Sequence, residues 1–400
     1  MKVFQLNTYC GIKSTGRIVL SIAQQLEEHG DACFIGYGVP EISEESRPFA
    51  YKIGGKLSRK VHGAIRKLMD MEGYGSILPT FILLKKINQY KPDIIHLHNI
   101  HGCYLNHRIL FSYIRKHHIP VVWTLHDCWP FTGHCAYYDA AECEQWKTEC
   151  KNCPQQLNYP VCIGLDGSAR NYRRKKALFN MPEQIRFAAP CHWMKQQLEK
   201  SFLKKYPAAV IVNGIDTDTF KPAESDLREQ WHIGNRKLVL GIASEWDERK
   251  GLSYLLEAAK QLGSDYIFAI IGLSESQTAV LPENAMAVPS THDARVLAMW
   301  YSAADCLANP TLEDNMPTVN LEALACGTPV VAFDTGGCAE AIGNCGCVVP
   351  KKDVHAFCQK LTEYCALKAD ITEQCLYRAK QFQMARMGEQ YIKLYEELLK

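Results

Sequence analysis

Residues Asn309–Glu340 read NPTLEDNMPTVNLEALACGTPVVAFDTGGCAE. The stretch sets an acidic pair, a helix start, an apolar strand and a Gly-Gly turn in immediate succession. Asp314 and Glu322 are eight apart, so on a helix they stand about two turns apart on one face. Pro317 suits a first helical turn, where its missing N–H is not needed. Backbone N–H groups at such a start are a ready site for phosphate or sugar oxygens. A carboxylate one turn further in can hold vicinal hydroxyls such as those of a ribose. The layout implies a nucleotide-sugar site.

Working outward, the flanking sequence alternates short β-rich runs with helical patterns, the signature of parallel sheets covered by helices. The second half supplies KLVLGIA, YIFAIIG, AMAVPS, DCLANP, PVVAFD and GCVVP as strands, with helices at 251–262, 294–303, 319–325 and 353–366. The first half supplies KVFQLN, ACFIGY, DIIHLH, VVWTLH, IRFAAP and AAVIVN, with helices at 17–29, 78–90 and 105–117. The polar stretch NGIDTDTFKPAESD, Asn213–Asp226, suits a linker between the two series. A last amphipathic helix is expected from about Ile371. The predicted architecture is α/β: two Rossmann-like domains with parallel sheets facing across a cleft, ligands lying at the carboxyl ends of the strands. The expected division is 1–216 and 217–379, with a helix at about 380–400 returning to the first domain.

A chain of 400 residues exceeds one ordinary core, in line with two domains. The formal net charge of +2 gives no support for nucleic-acid binding. No apolar run approaches a membrane span. The start MKVFQLNTY reads as a strand rather than a signal peptide, so a cytoplasmic location is expected. In such a compartment most of the 18 cysteines are small buried apolar residues.

Several other segments carry chemistry. In CGIKSTGR, Cys10–Arg17, Gly11 and Gly16 allow close backbone approach, and Ser14 and Thr15 can cap a helix or meet a phosphate; a plain strand–helix turn is the alternative. In WTLHDCWPFTGHC, His126 and Asp127 follow an apolar strand, where a His can bond a sugar or move a proton, or simply terminate the strand. His96, His98 and His101 read as satisfied or solvent-facing histidines. Cys135, Cys143, Cys150 and Cys153, within an insertion at about 128–162, are spaced to share one structural zinc, with His134 as an alternative ligand; free thiols are the competing reading. In SEWDERKGL, Arg249 and Lys250 precede a helix start and can neutralise a pyrophosphate; a solvated basic pair is the alternative, electrostatically poor at the positive end of the helix dipole. The basic stretches KLSRKVHGAIRK and RRKK can lie against an anionic membrane face or form solvated helix faces.

Taken together, these segments resemble the retaining GT-B glycosyltransferases of family 4 that build bacterial surface polysaccharides. VIVNGIDTDTFKP is similar to the family's domain junction, ERKG to its phosphate-binding basic motif, and EDNMPTVNLEALACGTPVVAFDTGGCAE to its donor-site motif; APCHWMKQQLEKS and PDIIHLHN also match. The HDCWPFTGHC region resembles a subgroup acting in exopolysaccharide and colanic-acid-like assembly.

The resemblance implies roles. Glu322 would bind the ribose, and Asp314 or Glu313 would face the donor sugar. The backbone of Asn315, Met316, Pro317 and Thr318 would meet sugar and phosphate oxygens. Lys250 would bind the diphosphate, Gly16 would approach it from the first domain, and His126 would bond the transferred sugar. Two positions depart from the pattern: Glu245 stands where the family usually carries Arg, and Arg249 where an acidic residue is common.

The expected reaction moves a hexosyl group from a UDP- or GDP-linked sugar to a hydroxyl of a growing, lipid-linked glycan. No catalytic metal is expected, because Lys250, Arg249 and helix N-termini can stabilise the leaving diphosphate. Competing readings are a nucleotide-sugar epimerase, a phosphorylase, or a non-catalytic metal-stapled scaffold. Partners expected are the donor, a glycan or lipid-linked oligosaccharide acceptor and a peripheral membrane contact.

Overall fold

A computed structural model describes residues 1–291 and 293–400. The chain divides into two compact units, Met1–Val212 with Met387–Lys400, and Asn213–Arg386.

The first unit is built on seven strands: β1 (Lys2–Asn7), β2 (Ala32–Tyr37), β3 (Ala50–Lys52), β4 (Ile94–Leu97), β5 (Val121–Thr124), β6 (Ile185–Ala189) and β7 (Ala208–Val210). They lie in the order β3-β2-β1-β4-β5-β6-β7, every pairing parallel. β4 and β5 are buried along their whole length, as expected of strands covered on both faces. The three-residue edge strand β3 is absent from the sequence reading, because AYK is too short to show a period.

The second unit has six strands: β8 (Lys237–Ile242), β9 (Tyr266–Ile271), β10 (Ala285–Val288), β11 (Cys306–Asn309), β12 (Val330–Phe333) and β13 (Gly346–Val349). Their order is β10-β9-β8-β11-β12-β13, again all parallel. Both sheets reverse direction of winding once, beside β1 and β4 in the first unit and beside β8 and β11 in the second. Such a reversal opens a crevice at the carboxyl ends of the two strands, where open α/β sheets bind ligands.

One helix differs from expectation. The segment expected to end near Ala366, and the one expected to begin near Ile371, are a single helix, Val354–Ala379. Phe357, Leu361 and Cys365 before the supposed break, and Cys375 and Ala379 after it, are buried at four-residue spacings. Between them Lys368 Nζ donates to Ser302 O at 2.6 Å and Thr372 Oγ1 to Gly327 O at 3.2 Å. After a turn at Lys380–Phe382, the last helix, Met384–Leu399, buries Tyr391, Leu394, Tyr395 and Leu398 against β-sheet residues Val3, Ile94 and Val122. Polar contacts fix its seat: the Tyr395 hydroxyl lies 2.7 Å from His96 Nδ1, and the Tyr391 hydroxyl 2.8 Å from Thr124 Oγ1.

Candidate functional site

In the second unit the site residues gather at the winding reversal, on the loops that leave β8 and β11. The β8 loop enters a short 3-10 turn, Glu248–Lys250, capped by the Asp247 carboxylate, which accepts from Lys250 N–H at 2.9 Å. The cap answers the dipole mismatch expected there, since it sets an anion at the turn's positive end. Gly251 then turns the chain into helix Leu252–Leu262 with φ +76°, and a Cβ on it would stand 2.0 Å from the Pro310 carbonyl oxygen. The β8 and β11 loops therefore touch backbone to backbone. Leu312 N–H donates to Arg249 O at 2.8 Å, and the Arg249 guanidinium donates to Glu313 O at 2.9 Å.

This contact brings the two charged motifs together. Lys250 Nζ donates to Asp314 Oδ2 at 2.7 Å. Burial pushes the Asp314 carboxyl up, but the Lys250 and Arg249 cations, with hydrogen bonds from Lys250 and Asn315 N–H, hold it below the usual carboxylate range. The Gly-Gly turn braces the loop from its other side: Gly337 N–H donates to Asn315 O at 2.6 Å, and Thr335 Oγ1 to Thr311 O at 2.9 Å. Gly336, with φ +52°, leaves room for the Asp314 carbonyl oxygen, 1.9 Å from where a Cβ would sit.

The acidic pair does not share a helix face. The helix begins at Thr318, with Pro317 as its N-cap residue, so Asp314 lies in the preceding loop and only Glu322 is helical. The ring fixes Pro317 at φ −66° while ψ stays extended at 118°, which bars the helix from continuing back through Met316. Helix Thr318–Ala325 has no side-chain cap; Asn320 N–H donates to Pro317 O at 3.2 Å, and the preceding Asn315 and Met316 are both buried. Glu322 is buried one turn in, where its Oε2 accepts from the Tyr301 hydroxyl at 2.8 Å. Glu313 is buried too, and its carbonyl accepts from the Arg249 guanidinium. Tyr301 was not legible as a site residue, because it belongs to helix Ala294–Ala303 and reaches Glu322 only through tertiary packing.

In the first unit, Gly16 lies on the opening turn of helix Lys13–Glu28, after β1, and its carbonyl accepts from Gly11 N–H at 3.0 Å. A Cβ on Gly16 would approach Tyr9 Cβ at 3.1 Å and Cys10 N at 3.3 Å, so the turn is folded tightly on itself. His126 is half-buried just after β5, and its Nε2 lies 2.9 Å from His98 Nδ1. His98 Nε2 lies 3.0 Å from Gln5 Oε1, and Gln5 Nε2 donates to Val19 O at 3.0 Å. Because a carbonyl can only accept, the Gln5 amide nitrogen faces Val19 and its oxygen must accept from His98 Nε2–H. His98 Nδ1 is then an acceptor, and His126 donates through Nε2–H. Burial depresses His98 well below the usual histidine range and His126 to about 4, despite the opposing Asp127 carboxylate, so both rings are neutral near pH 7. His96 and His101 are buried and partnered as well, His101 with Asp127 at 2.8 Å and with the Tyr159 hydroxyl at 2.9 Å.

The cysteine-rich insertion gathers its thiols differently from expectation. Among the described residues, Cys135, Cys143, Cys150, Cys153 and His134 bring no three ligand atoms within 4.8 Å of one another. Instead, Cys150 Sγ accepts from Gly133 N–H at 3.2 Å, and His134 Nδ1 lies 2.6 Å from Asp70 Oδ1. A group at metal-ligand spacing is formed by His62, Glu72 and Cys103, none of them in the insertion. Its donor set does not fit a metal. His62 Nε2 accepts from Gly73 N–H at 3.1 Å, Glu72 Oε1 accepts from Gly102 and Cys103 N–H at 3.2 and 3.0 Å, and Cys103 Sγ donates to Glu72 Oε2 at 3.3 Å, so the ligand atoms already have partners within the protein.

Comparison with known proteins accords with this geometry. Residues 15–219 match the family model described as Glycosyltransferase Family 4, and residues 236–366 the one described as Glycosyl transferases group 1. The chain is 25% identical over 360 residues, 86% of each chain, to Escherichia coli (strain K12) WcaC, named as a colanic acid biosynthesis glycosyl transferase. Among solved structures, the sucrose-phosphate synthase of Thermosynechococcus elongatus superposes with TM-score 0.75 at 17% identity, covering 99% of this chain and 98% of that one. Anabaena HepE, solved with UDP and glucose, superposes with TM-score 0.67 at 16% identity, covering 99% and 100%. The chain belongs to glycosyltransferase family 4, and its two α/β units are the Rossmann-like halves of a GT-B fold.

Proposed function

We propose that the protein transfers a hexosyl group from a nucleotide sugar, UDP- or GDP-linked, to a hydroxyl of a lipid-linked bacterial surface polysaccharide, with retention at the anomeric carbon. The observation that carries this reading is the meeting of Lys250 with Asp314 at 2.7 Å beside the uncapped start of the helix that carries Glu322. An ammonium and the first N–H groups of a helix suit a diphosphate, and a buried carboxylate one turn in suits a ribose diol. The likeness to HepE, solved with UDP and glucose, and to WcaC, named for colanic acid biosynthesis, favours the same donor class and an exopolysaccharide product.

In this reaction the bond from the anomeric carbon to the diphosphate oxygen breaks and the bond to the acceptor oxygen forms on the same face. The departing phosphate takes the acceptor proton, so no protein nucleophile is required. Lys250, Arg249 and the helix N–H groups offset the charge that develops on the leaving oxygen. The first-unit residues would serve the sugar: Gly16 would approach the phosphates, and neutral His126, held by its Nε2 contact with His98, would bond a sugar hydroxyl.

The test is nucleoside diphosphate release from a panel of UDP- and GDP-sugars, with and without a lipid-linked glycan acceptor, followed by assignment of the product anomer. Release with one donor, lost in Glu322→Ala together with donor binding, is the expected result. No release from any donor, combined with unchanged donor binding in Glu322→Ala, would overturn it.

A further inference from the structure

Helix Lys56–Met69 is basic and amphipathic, yet of its residues only His62 is buried. Leu57, Val61, Ala64 and Leu68 recur at the spacing of a single helical stripe. On an ordinary surface helix that stripe faces the core. Here it faces outward: Leu57 is 76% exposed, Val61 53% and Leu68 55%. The helix is pinned by a different side, where His62 Nδ1 lies 2.9 Å from Ser76 Oγ and His62 Nε2 accepts from Gly73 N–H. Lys56, Lys60 and Lys67 each precede a stripe residue by one position, so they form a parallel exposed row about a quarter-turn away.

The apolar surface continues onto two neighbouring segments. The Ser76 contact sets the first turns of helix Ile77–Tyr90 beside the basic helix, and there Leu78 and Phe81 are exposed, Leu78 by 68%. At the other end, Ile163 and Leu165 donate their N–H groups to Lys67 O and Leu68 O at 2.9 Å each while their side chains stay exposed. A continuous apolar patch of this kind marks an interaction surface.

We propose that this face docks on an anionic lipid bilayer, the apolar stripe entering the boundary between headgroups and acyl chains and the lysine row lying on lipid phosphates. Charge complementarity selects the occupant. A stripe flanked by lysines matches an anionic interface. A second copy docked by a two-fold axis would set the same lysine rows against each other. Among the described residues no helix is long and apolar enough to cross a membrane, so the contact would lie on the surface. The proposal goes beyond the transfer reaction and does not depend on the donor chemistry.

The experiment is co-sedimentation of the full chain with phosphatidylcholine vesicles, with and without phosphatidylglycerol, at low and high salt. Two triple variants accompany it: Leu57→Ser with Val61→Ser and Leu68→Ser, and Lys56→Gln with Lys60→Gln and Lys67→Gln. The wild-type chain should sediment with the anionic vesicles and weaken with salt. Loss of the three lysine charges should reduce binding by roughly a hundredfold, and loss of the stripe by at least about tenfold. All the replaced side chains are exposed, so both variants should melt with the wild type. If the serine variant melts early, the lysine variant decides the matter. Failure to sediment, equal sedimentation with phosphatidylcholine alone, or wild-type binding by the lysine variant would overturn the proposal. So would a vesicle-free dimer that the serine variant dissociates, since that identifies a second copy as the occupant. Nucleotide release with a soluble acceptor reports the donor site separately and should be unchanged in both variants.

Discussion

His98 Nδ1 lies 2.9 Å from His126 Nε2, and the two rings stack with centroids 5.2 Å apart. The pair forms a directed chain from Gln5 through His98 to His126, in which each donor is fixed by the partner behind it. Both imidazoles are held neutral by burial, so protonating either one costs folding energy.

That cost has a definite sign. Histidines whose folded pKa lies below the unfolded value of about 6.5 contribute stability that is fully present above that value and is lost as pH falls toward the folded one. His96, His98 and His126 all shift this way. Thermal unfolding followed from pH 7.5 to 5, a window set by those shifts and on the order of two pH units, should show a falling Tm. His98→Asn should flatten the fall. A Tm that stays level in the wild-type chain over this window would count against neutral buried rings.

The Lys250–Asp314 contact predicts linked effects on activity and stability. Lys250→Met should lower kcat/KM for donor turnover by about a hundred- to a thousandfold, the usual cost of one charge-stabilising donor. The two side chains are only 21% and 16% exposed, so the same change leaves a largely buried carboxylate with Arg249 as a remaining cation and should also cost roughly 1–3 kcal/mol in chemical denaturation. The depressed Asp314 carboxyl adds stability that is present above the unfolded value of about 4 and is lost as pH falls below it. Asp314→Asn should therefore soften the acid limb of the Tm profile.

Tyr301 should support the donor site without touching the transferred sugar. Tyr301→Phe removes the hydroxyl that donates to the buried Glu322 carboxylate. A hydrogen bond to a charged group contributes about 1.5–3 kcal/mol, so stability should drop on that order and nucleotide affinity should weaken with it. Isothermal titration with UDP and GDP distinguishes this from a purely structural loss, in which affinity per folded molecule would be unchanged.

Gly251 offers a matched pair of backbone tests. Gly251 and Gly234 both have left-handed φ, +76° and +62°, but only Gly251 faces an obstruction, the Pro310 oxygen 2.0 Å from a Cβ. Gly234→Ala should cost about 1 kcal/mol for conformation alone. Gly251→Ala should cost several kcal/mol more, on the order of the strain of a forced backbone shift, and should reduce donor turnover because it parts the β8 and β11 loops. Equal losses at the two positions would remove the loop contact from the argument.

Much of the fold was legible because its strands are short apolar runs, several of them buried along their whole length, between helical patterns. The segments read as strands around β1, β2, β4 to β7 and β8 to β13 are all strands. What escaped was structure whose signal is not local. β3 is a three-residue edge, and the helix Val354–Ala379 crosses a stretch that sequence alone divides. The placement of Asp314 on a helix failed because the spacing to Glu322 matches a helical period by count, while Pro317 halts the helix between them. Of the four thiols expected to converge, Cys135 and Cys153 share a hydrogen bond, but among the described residues no three of the ligand atoms lie within 4.8 Å of one another; C-x-x-C spacing permits a shared metal without by itself directing side chains toward a common point.

The sequence by itself determined the parallel α/β class, the two series of strands and the motifs that lie at strand ends, since burial pattern and turn chemistry are local properties. Only the tertiary structure decided which motifs meet. Lys250 and Asp314 are separated by an entire α/β succession and touch because β8 and β11 pair side by side. Tyr301 reaches Glu322, and Gln5 orders His98 and His126, for the same reason. The outward apolar stripe of Lys56–Met69 is the converse case: its period is written in the sequence, but its direction depends on the side at which His62 is anchored.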